Sequence, residues 1–246
     1  MNYSIGITTF SKRYDLIVKL IGQIRSFTNR KIILTINGEK GAEFDNDYRQ
    51  KMLELCAIHD EVYPIFFLET RGLSKMWNTI LLTSHDENVL MLNDDIEVTG
   101  DQVFKIVEDH IKSTGFSGLT KINGSFSHFI VNVKLMERIG FFDERLLGFG
   151  EEDGDITYRL LRMGVGINNI GSPNLLNIVS DIRHDHVNAG IGKYSKFNRD
   201  FIYNEKYEPT PNGAYQGMFD TPMSLKIPDL NLYPGEKYFQ VNKDKL

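Results

Sequence analysis

The chain has 246 residues, of which 41% are hydrophobic, and this is enough for one large domain with its own core. Its net charge of −5 excludes a general nucleic-acid-binding surface, which needs an excess of basic residues. Its single cysteine, Cys56, excludes an intrachain disulfide. The N-terminus lacks a signal-peptide pattern, and no apolar run approaches the ~20 residues of a membrane span. We therefore expect a cytoplasmic protein whose contact with a membrane is at most peripheral.

The first half of the chain alternates short apolar strands with amphipathic helices. Strands are predicted at Tyr3–Thr8, Lys31–Ile36, Val62–Leu68 and Asn88–Leu92. Apolar residues at helical spacing predict helices between them, the first capped by Ser11, the next carrying Tyr48 to Leu55 and the third Leu73 to Leu81. This alternation predicts an α/β fold with a mostly parallel, twisted sheet flanked by helices.

The second half of the chain is more varied. The predicted elements are a helix at Gln102–Lys112, a hairpin around Asn123-Gly124, a short helix at Lys134–Ile139, a helix with Ile156, Leu160 and Met163 on one stripe that stops at Gly164, and strands at Gly166–Ile170 and Leu175–Ile178. The hairpin adds a small antiparallel portion to the sheet. Periodicity fades from about Ser195, which predicts an irregular C-terminal tail. We therefore expect a main domain at 1–194 and an extension or lid at 195–246 packed on it.

Parallel sheets bind ligands at the carboxyl ends of their strands, where the strand order reverses. The polar and aromatic residues that directly follow the predicted strands are therefore candidates for ligand binding. They are Thr9, Phe10, Lys12, Asn37, Glu39, Arg71, Lys75, Asn93, Asp94 and Asp95.

The sequence Asn93-Asp94-Asp95 follows the most apolar of these strands. Two carboxylates and an amide beside a core favour a bound divalent cation, and oxygen ligands suit Mg²⁺ or Mn²⁺. The alternative is a turn in which an Asp side chain caps the backbone. Further along, His184 and His186 lie either on a surface loop or near this site, where an imidazole ligand would shift the preference toward Mn²⁺.

The most acidic stretch is GFGEEDGD, which places Glu151, Glu152, Asp153 and Asp155 within five residues. Acids in the first turn of a helix interact favourably with its unpaired N–H groups. Four acids exceed that need and repel one another. We therefore favour a carboxylate that accepts a proton, exposed on a loop that the glycines around Phe149 make adaptable. Helix electrostatics alone stays as the alternative.

Taken in order, these stretches resemble the inverting GT-A glycosyltransferases of the family-2 type. ITTFSKRYDLI is similar to the opening strand and nucleotide-binding turn of that family, RGLSKMWN to its Arg/Gly-to-Asn helix, and MLNDDIEV to its metal motif. The segment that ends in GFGEEDGDITYRL resembles its acceptor and catalytic segment, and is most similar to the β-1,4-galactosyltransferases, whose signature is GWGGEDDD. Ile182-Arg183-His184 also matches a metal-binding run of that group. The resemblance covers about Tyr3 to His186 and implies a GT-A fold.

The resemblance implies a role for each matching residue. Asp153 matches the catalytic base, and Asp95 and His184 match ligands of a metal cofactor, Mn²⁺ (or Mg²⁺). Glu152, Phe149 and Gly150 fall in the acceptor site. The donor site would comprise Thr8, Thr9, Phe10, Lys12, Arg13, Asn37, Glu39, Arg71, Lys75, Asn78, Asn93 and Asp94.

The chain departs from the family pattern at three positions. Phe149 stands where the galactosyltransferases have Trp, and Gly154 replaces one acid of their run. Asn93 replaces the first Asp of the usual metal motif, so the metal would depend on Asp95.

The resemblance implies a single displacement at the anomeric carbon of a nucleotide-sugar, with UDP as the nucleotide. Asp153 would take the proton from a hydroxyl of a glycan or lipid-linked acceptor. The stretch Ile182–Tyr194 would be a loop that closes over the donor. Two other functions stay open. A sugar-1-phosphate nucleotidyltransferase shares the α/β fold and the metal, although the opening GITTFSKRYD lacks the Gly-rich basic loop of that class. A non-catalytic nucleotide-sugar-binding module would not need the acid cluster.

Overall fold

The computed structural model describes residues 2–10, 13–39, 41–178, 191–208 and 241–242. Its strands are β1 (Ser4–Thr9), β2 (Ile32–Ile36), β3 (Val62–Phe66), β4 (Asn88–Asn93), β5 (Ile96–Val98), β6 (Leu119–Ile122), β7 (Ser125–Asn132), β8 (Ile167–Ile170) and β9 (Leu175–Asn177). Its helices are α1 (Tyr14–Arg25), α2 (Asn46–Ile58), α3 (Leu73–Thr83), α4 (Gln102–Thr114), α5 (Val133–Ile139), α6 (Glu152–Arg162) and α7 (Ile191–Asp200), and a π-helical turn, Phe201–Lys206, follows α7.

A seven-stranded sheet organises the molecule, with the order β3-β2-β1-β4-β7-β6-β8. β3, β2, β1 and β4 are parallel, β7 is antiparallel to both of its neighbours, and β8 is parallel to β6. The predicted α/β fold with a mostly parallel sheet is confirmed. The chain moves outward from β1 to β2 and β3, and then returns to the other side of β1 as β4. This reversal makes the carboxyl ends of β1 and β4 the expected ligand-binding position.

Both faces of the sheet are covered, which explains the continuous apolar run of β4. Leu90 and Leu92 pack in a core with α1, α2 and α4, whereas Val89 and Met91 pack in a second core with α3, α5 and α6. Side chains alternate between the faces of a strand, so a strand buried on both sides must be apolar at every position. A small antiparallel sheet of β5 and β9 lies beyond β4.

Two local predictions differ from the structure. Arg13, not Ser11, is the N-cap residue of α1, and its side chain makes no capping hydrogen bond; Ser11 lies outside the described residues. Met163 follows the last turn of α6 and is 40% exposed, so it does not belong to the buried stripe of Ile156 and Leu160. Gly164 comes next with φ of +69°, a left-handed conformation that suits glycine at a helix end.

The predicted irregular structure from Ser195 is wrong for the next twelve residues. α7 and the π-helical turn make residues 191–206 helical. Phe201, Ile202 and Tyr207 are buried and pack with Leu146 and Tyr158 of the preceding fold. None of the helices in the described ranges has the length and apolar content needed to cross a bilayer.

Candidate functional site

The candidate site begins where β1 and β4 end side by side. Thr8 pairs with Asn93 in the parallel register, and its hydroxyl donates a hydrogen bond to the Asn93 side-chain oxygen at 3.3 Å. The chain turns directly after Asn93, so Asp94 and Asp95 lie at the carboxyl edge of the sheet. The structure therefore brings the opening strand and the acidic pair together, at the point where the strand order reverses.

Asp94 is buried and fully engaged by the turn that follows β1. Its carboxylate accepts hydrogen bonds from the Thr9 hydroxyl at 2.8 Å and from the Phe10 N–H at 3.4 Å, and it forms an ion pair with Arg13 at 2.7 Å. Burial raises the pKa of Asp94, while Arg13 and the bond from Thr9 act in the opposite direction. Asp94 therefore fixes the shape of the loop between β1 and α1.

The Asp95 carboxylate accepts fewer hydrogen bonds from the described residues than the Asp94 carboxylate does. Its Oδ1 atom is buried without a hydrogen-bond partner among the described residues, and burial raises the pKa of its carboxyl. Its backbone carbonyl accepts the Ile178 N–H at 2.8 Å, so the chain leaves β9 directly beside it. A buried carboxylate oxygen without a partner is costly unless something compensates it, and a divalent cation would do so.

The side chains at this position suit a cation that takes only some of its ligands from the protein. In the part of the chain that the structure describes, no three His, Cys, Asp or Glu side chains come together as a metal site. Asp95 would therefore share the cation with ligand and water oxygens, as Mg²⁺ and Mn²⁺ sites beside phosphates commonly do. His184, the other predicted ligand, lies outside the described residues, as do His186 and most of the predicted loop Ile182–Tyr194.

The acidic segment before α6 lies at the same edge of the sheet. The ring of Phe149 meets that of Phe10 edge-on with 5.8 Å between centroids, and it contacts Tyr194 at 5.4 Å. The Gly148 carbonyl accepts the Leu73 N–H at 2.6 Å, which anchors the loop to the start of α3. Because Phe10 follows β1 and its N–H donates to Asp94, the loop before α6 lies next to the turn that holds Asp94.

The four acids of this segment have separate environments. Glu151 has φ of +76° and bonds to Ser195 and Arg199. Glu152 is 4% exposed; its Oε2 accepts the Gly150 N–H at 2.6 Å, and its buried Oε1 has no hydrogen-bond partner among the described residues.

The environments of Glu152, Asp153 and Asp155 differ from one another. Burial, opposed by backbone hydrogen bonds, raises the pKa of Glu152 to about 8. Asp153 beside it is exposed and accepts the N–H of Gly154. Asp155 is buried and accepts bonds from Arg159, Lys206 and Tyr207. The N-cap residue of α6, Glu151, makes no side-chain capping bond. Bonds to the first turn of α6 therefore account for Asp153 but not for all four acids, and Asp155 is held in a buried ion-pair network.

Several predicted donor residues have contacts within the protein. Both polar atoms of the Asn37 side chain bond to the backbone of Arg71, and this links the loops after β2 and β3. Asn78 is buried and bonds to Phe142 and Glu144.

The remaining predicted donor residues are charged and lie nearer the surface. Arg71 forms an ion pair with Glu69 at 3.1 Å, and Lys75 forms one with Glu144 at 3.2 Å. Glu39 is half-buried, and Lys12 lies outside the described residues.

The sequence patterns did not reveal the residues that hold Asp155. Arg159 stands four residues later on the same helix, a spacing that suits an ion pair and was available as a signal. Lys206 and Tyr207 lie in the stretch that had no periodicity, so no local pattern indicated them. The ion pair of Asp143 with Arg145 was also missed.

Comparison with known proteins identifies the fold. No protein-family model matches the chain, and no curated protein sequence matches it. The mannosyltransferase PcManGT from Pyrobaculum calidifontis, solved with GDP-Man and Mn²⁺, is similar with a TM-score of 0.66 and 10% identity, over 99% of this chain and 75% of that one.

Two further structures are similar over most of the chain. Residues 1–349 of S. aureus TarS match with a TM-score of 0.55 and 13% identity, over 82% of this chain and 72% of that one; the match spans 36% of a longer TarS chain. Glucosyl-3-phosphoglycerate synthase from Mycobacterium tuberculosis, solved with Mn²⁺, UDP and glucosyl-3-phosphoglycerate, matches with a TM-score of 0.54 and 12% identity, over 81% of this chain and 78% of that one. The predicted GT-A fold is confirmed: the chain has the α/β fold of the GT-A glycosyltransferases.

Proposed function

We propose that the protein is a metal-dependent, inverting glycosyltransferase. It moves a sugar from a nucleotide-sugar, for which UDP is the favoured nucleotide, to a hydroxyl of a glycan or lipid-linked acceptor. The observation that carries this proposal is that two neighbouring acidic regions each contain a carboxylate suited to the reaction. Asp95 offers a buried carboxylate oxygen without a described partner, and exposed Asp153 lies beyond the Phe10–Phe149 contact that joins the two regions.

The donor would lie across the ends of β1 and β4. The hydrogen-bonded floor of this position comprises Thr8, Thr9, Phe10, Asn93 and Asp94. Arg13, paired with Asp94, adds positive charge beside the expected diphosphate. PcManGT was solved with a nucleotide-sugar and Mn²⁺, and the mycobacterial synthase with UDP and Mn²⁺, which supports a donor of this class. We do not include Asn37 and Asn78 in the donor contacts, because their amides bond within the protein.

Asp95 would hold the cation, with His184 as a second proposed ligand. When bound, the cation would neutralise negative charge that develops on the diphosphate leaving group. Within the described part of the chain, Asp95 Oδ1 can make this contact without the loss of a hydrogen bond.

Asp153 would act as the base. It is exposed, and one of its oxygens accepts the Gly154 N–H, so the other oxygen can accept a proton from an acceptor hydroxyl. Glu152, held by Gly150, would bind the acceptor with its second oxygen, and Phe149 would pack against the sugar. One base is enough for inversion, and no covalent intermediate with the enzyme is needed.

Transfer assays test the proposal. The wild-type protein would be incubated with Mn²⁺, p-nitrophenyl glycosides as acceptors, and UDP-glucose, UDP-galactose, UDP-N-acetylglucosamine or GDP-mannose as donor. We expect nucleoside diphosphate release with one donor, and NMR of the product should show an inverted anomeric configuration. A retained configuration would contradict inversion. Release of pyrophosphate from a nucleoside triphosphate and a sugar phosphate, without transfer, would instead identify a nucleotidyltransferase.

A further inference from the structure

The C-terminal helical segment 191–207 holds the residues on both sides of Glu152 and Asp153. On the N-terminal side, the Glu151 carboxylate accepts hydrogen bonds from Ser195 at 3.1 Å and from Arg199 at 2.8 Å. Glu151 is the N-cap residue of α6, so these bonds fix the point at which the helix begins.

On the C-terminal side, the same segment holds Asp155. Lys206 Nζ donates to Asp155 at 2.6 Å and to Asp143 at 2.7 Å, and the Tyr207 hydroxyl donates to Asp155 at 2.8 Å. Lys206 is 0% exposed, as is the Asp143 side chain. Burial alone would raise the pKa of both carboxyls, but Lys206 together with Arg145 beside Asp143 and Arg159 beside Asp155 outweighs it, and both pKa values are lowered. The network is therefore ionised and geometrically tight.

The segment also packs against the loop before α6. The Asn198 side chain bonds to the N–H and carbonyl of Leu147 and to the carbonyl of Gly150. Gly148 has φ of +63°, and a Cβ atom at that position would lie 2.4 Å from the Tyr194 ring. The segment and the loop therefore approach as closely as their atoms allow.

We propose that Lys206 is a positioning residue for the transfer reaction, which fixes the first turn of α6 and so sets the direction of the Asp153 carboxylate. This inference rests on the proposed function. Asp153 lies two residues before Asp155 on that turn, so a rotation of the turn would move both carboxylates together. A displacement of about 1 Å at a reacting group can cost as much as ~10²-fold in rate. Segment 191–207 is then a fixed part of the site rather than a lid.

The charges around Lys206 separate positioning from simple stabilisation. Without Lys206, each carboxylate keeps its own arginine: Asp143 pairs with Arg145 at 2.6 Å, and Asp155 with Arg159 at 2.9 Å. Lys206→Met therefore leaves no buried carboxylate without a cation, and its long apolar side chain fills most of the space of the lysine. What the variant loses is the ion pair of Lys206 with Asp155, one of the contacts that connect the C-terminal segment to α6.

The experiment compares Lys206→Met and Tyr207→Phe with Lys112→Met, an exposed lysine of α4 that serves as the matched control. Thermal unfolding establishes the folded fraction of each protein, and steady-state transfer is measured well below the lowest unfolding midpoint. For Lys206→Met we expect kcat to fall about 10-fold or more with donor KM unchanged, because the ends of β1 and β4 are not affected. For Tyr207→Phe, which removes one hydrogen bond, we expect a smaller fall in kcat in the same direction. Lys112→Met should match the wild type.

The outcomes are distinguishable. Full kcat in folded Lys206→Met would overturn the positioning role, and so would a loss explained entirely by a rise in donor KM. If Lys206→Met does not fold, full kcat in Tyr207→Phe overturns it. A wild-type protein that transfers no sugar would instead contradict the proposed function, before any variant is compared.

Discussion

Each of the two acidic regions of this protein contains a carboxylate that bonds to other parts of the chain and a carboxylate with fewer such bonds. At the end of β4, the Asp94 carboxylate bonds to the turn after β1, whereas Asp95 Oδ1 has no hydrogen-bond partner among the described residues. At the start of α6, Asp155 bonds to the C-terminal segment, Asp153 is exposed, and one buried oxygen of Glu152 has no hydrogen-bond partner in the described ranges. In both regions the acids lie within a few residues of one another in the sequence. Their contacts in the structure therefore distinguish the carboxylates that stabilise the fold from those proposed to act on ligands.

Asp94 and Asp155 are held in different ways. Asp94 is held by Thr9, the last residue of the neighbouring strand β1, and by Phe10 and Arg13 in the turn after it. Asp155 is held in part by a lysine 51 residues away, on the C-terminal segment. The first region is therefore built by the sheet itself, whereas the second depends on a distant part of the chain.

The largest expected effect is on stability, at Asp155. Asp155→Asn removes the carboxylate that pairs with two buried cations, Lys206 and Arg159, and leaves Lys206 with only Asp143, which also pairs with Arg145. Removing one partner from a buried ion pair typically costs about 3–5 kcal/mol, and we expect a loss of this size in chemical denaturation. Asp153→Asn, at an exposed position, should change the free energy of unfolding by less than about 0.5 kcal/mol. Equal losses in the two variants would remove the distinction between them.

The next effect is on catalysis, at Asp153. Asp153→Asn removes the proposed base, so we expect transfer to fall by at least ~10²-fold while donor binding is kept. Asp109→Asn, an exposed acid on α4, is the matched control and should be fully active. Near-normal turnover of the Asp153 variant would assign the base to another residue.

These two predictions show what the sequence could and could not reveal. Strand alternation predicted the mostly parallel sheet and the place of Asp95 after an apolar strand, because such features follow from local periodicity. The order of the strands has no local signal and came from the structure. The four acids of GFGEEDGD are alike in sequence, so the ion-pair role of Asp155 was not separable from the proposed role of Asp153. The ion-pair role of Asp155 depends on Lys206, whose segment has too few regularly spaced apolar residues to predict its helix.

The third effect is on ligand-linked stability, at Asp95. Burial raises the pKa of this carboxyl, so its charge destabilises the protein without metal. Asp95→Asn should therefore raise the unfolding midpoint without ligand, and should abolish the extra stabilisation by Mn²⁺ and nucleotide, worth about 2.7 kcal/mol at a ligand concentration 100 times Kd. A metal-linked shift that survives in Asp95→Asn would exclude this residue as a ligand.

The smallest effect is on pH dependence, at Glu152. Its folded-state pKa of about 8 lies above the ordinary value of 4.5, so the folded protein binds this proton more tightly than the unfolded chain. Its contribution is complete below pH 4.5 and is lost as the pH rises through about 8. Burial lowers the pKa of His128 to about 4, so that residue affects stability only below about pH 6.5. Between pH 6.5 and 8.5, the midpoint of Glu152→Gln should therefore fall less than that of the wild type. Parallel curves would contradict a buried acid at this position.

The position of a bound metal tests the central claim most directly. Crystals of the wild-type protein would be grown with Mn²⁺ and the nucleoside diphosphate of the donor that is turned over, and the anomalous signal of manganese would be located. The account predicts a manganese peak bonded to the Asp95 carboxylate, with the diphosphate across the ends of β1 and β4 and Asp153 facing the same cleft. A diphosphate bound elsewhere, or manganese bound without Asp95, would contradict it.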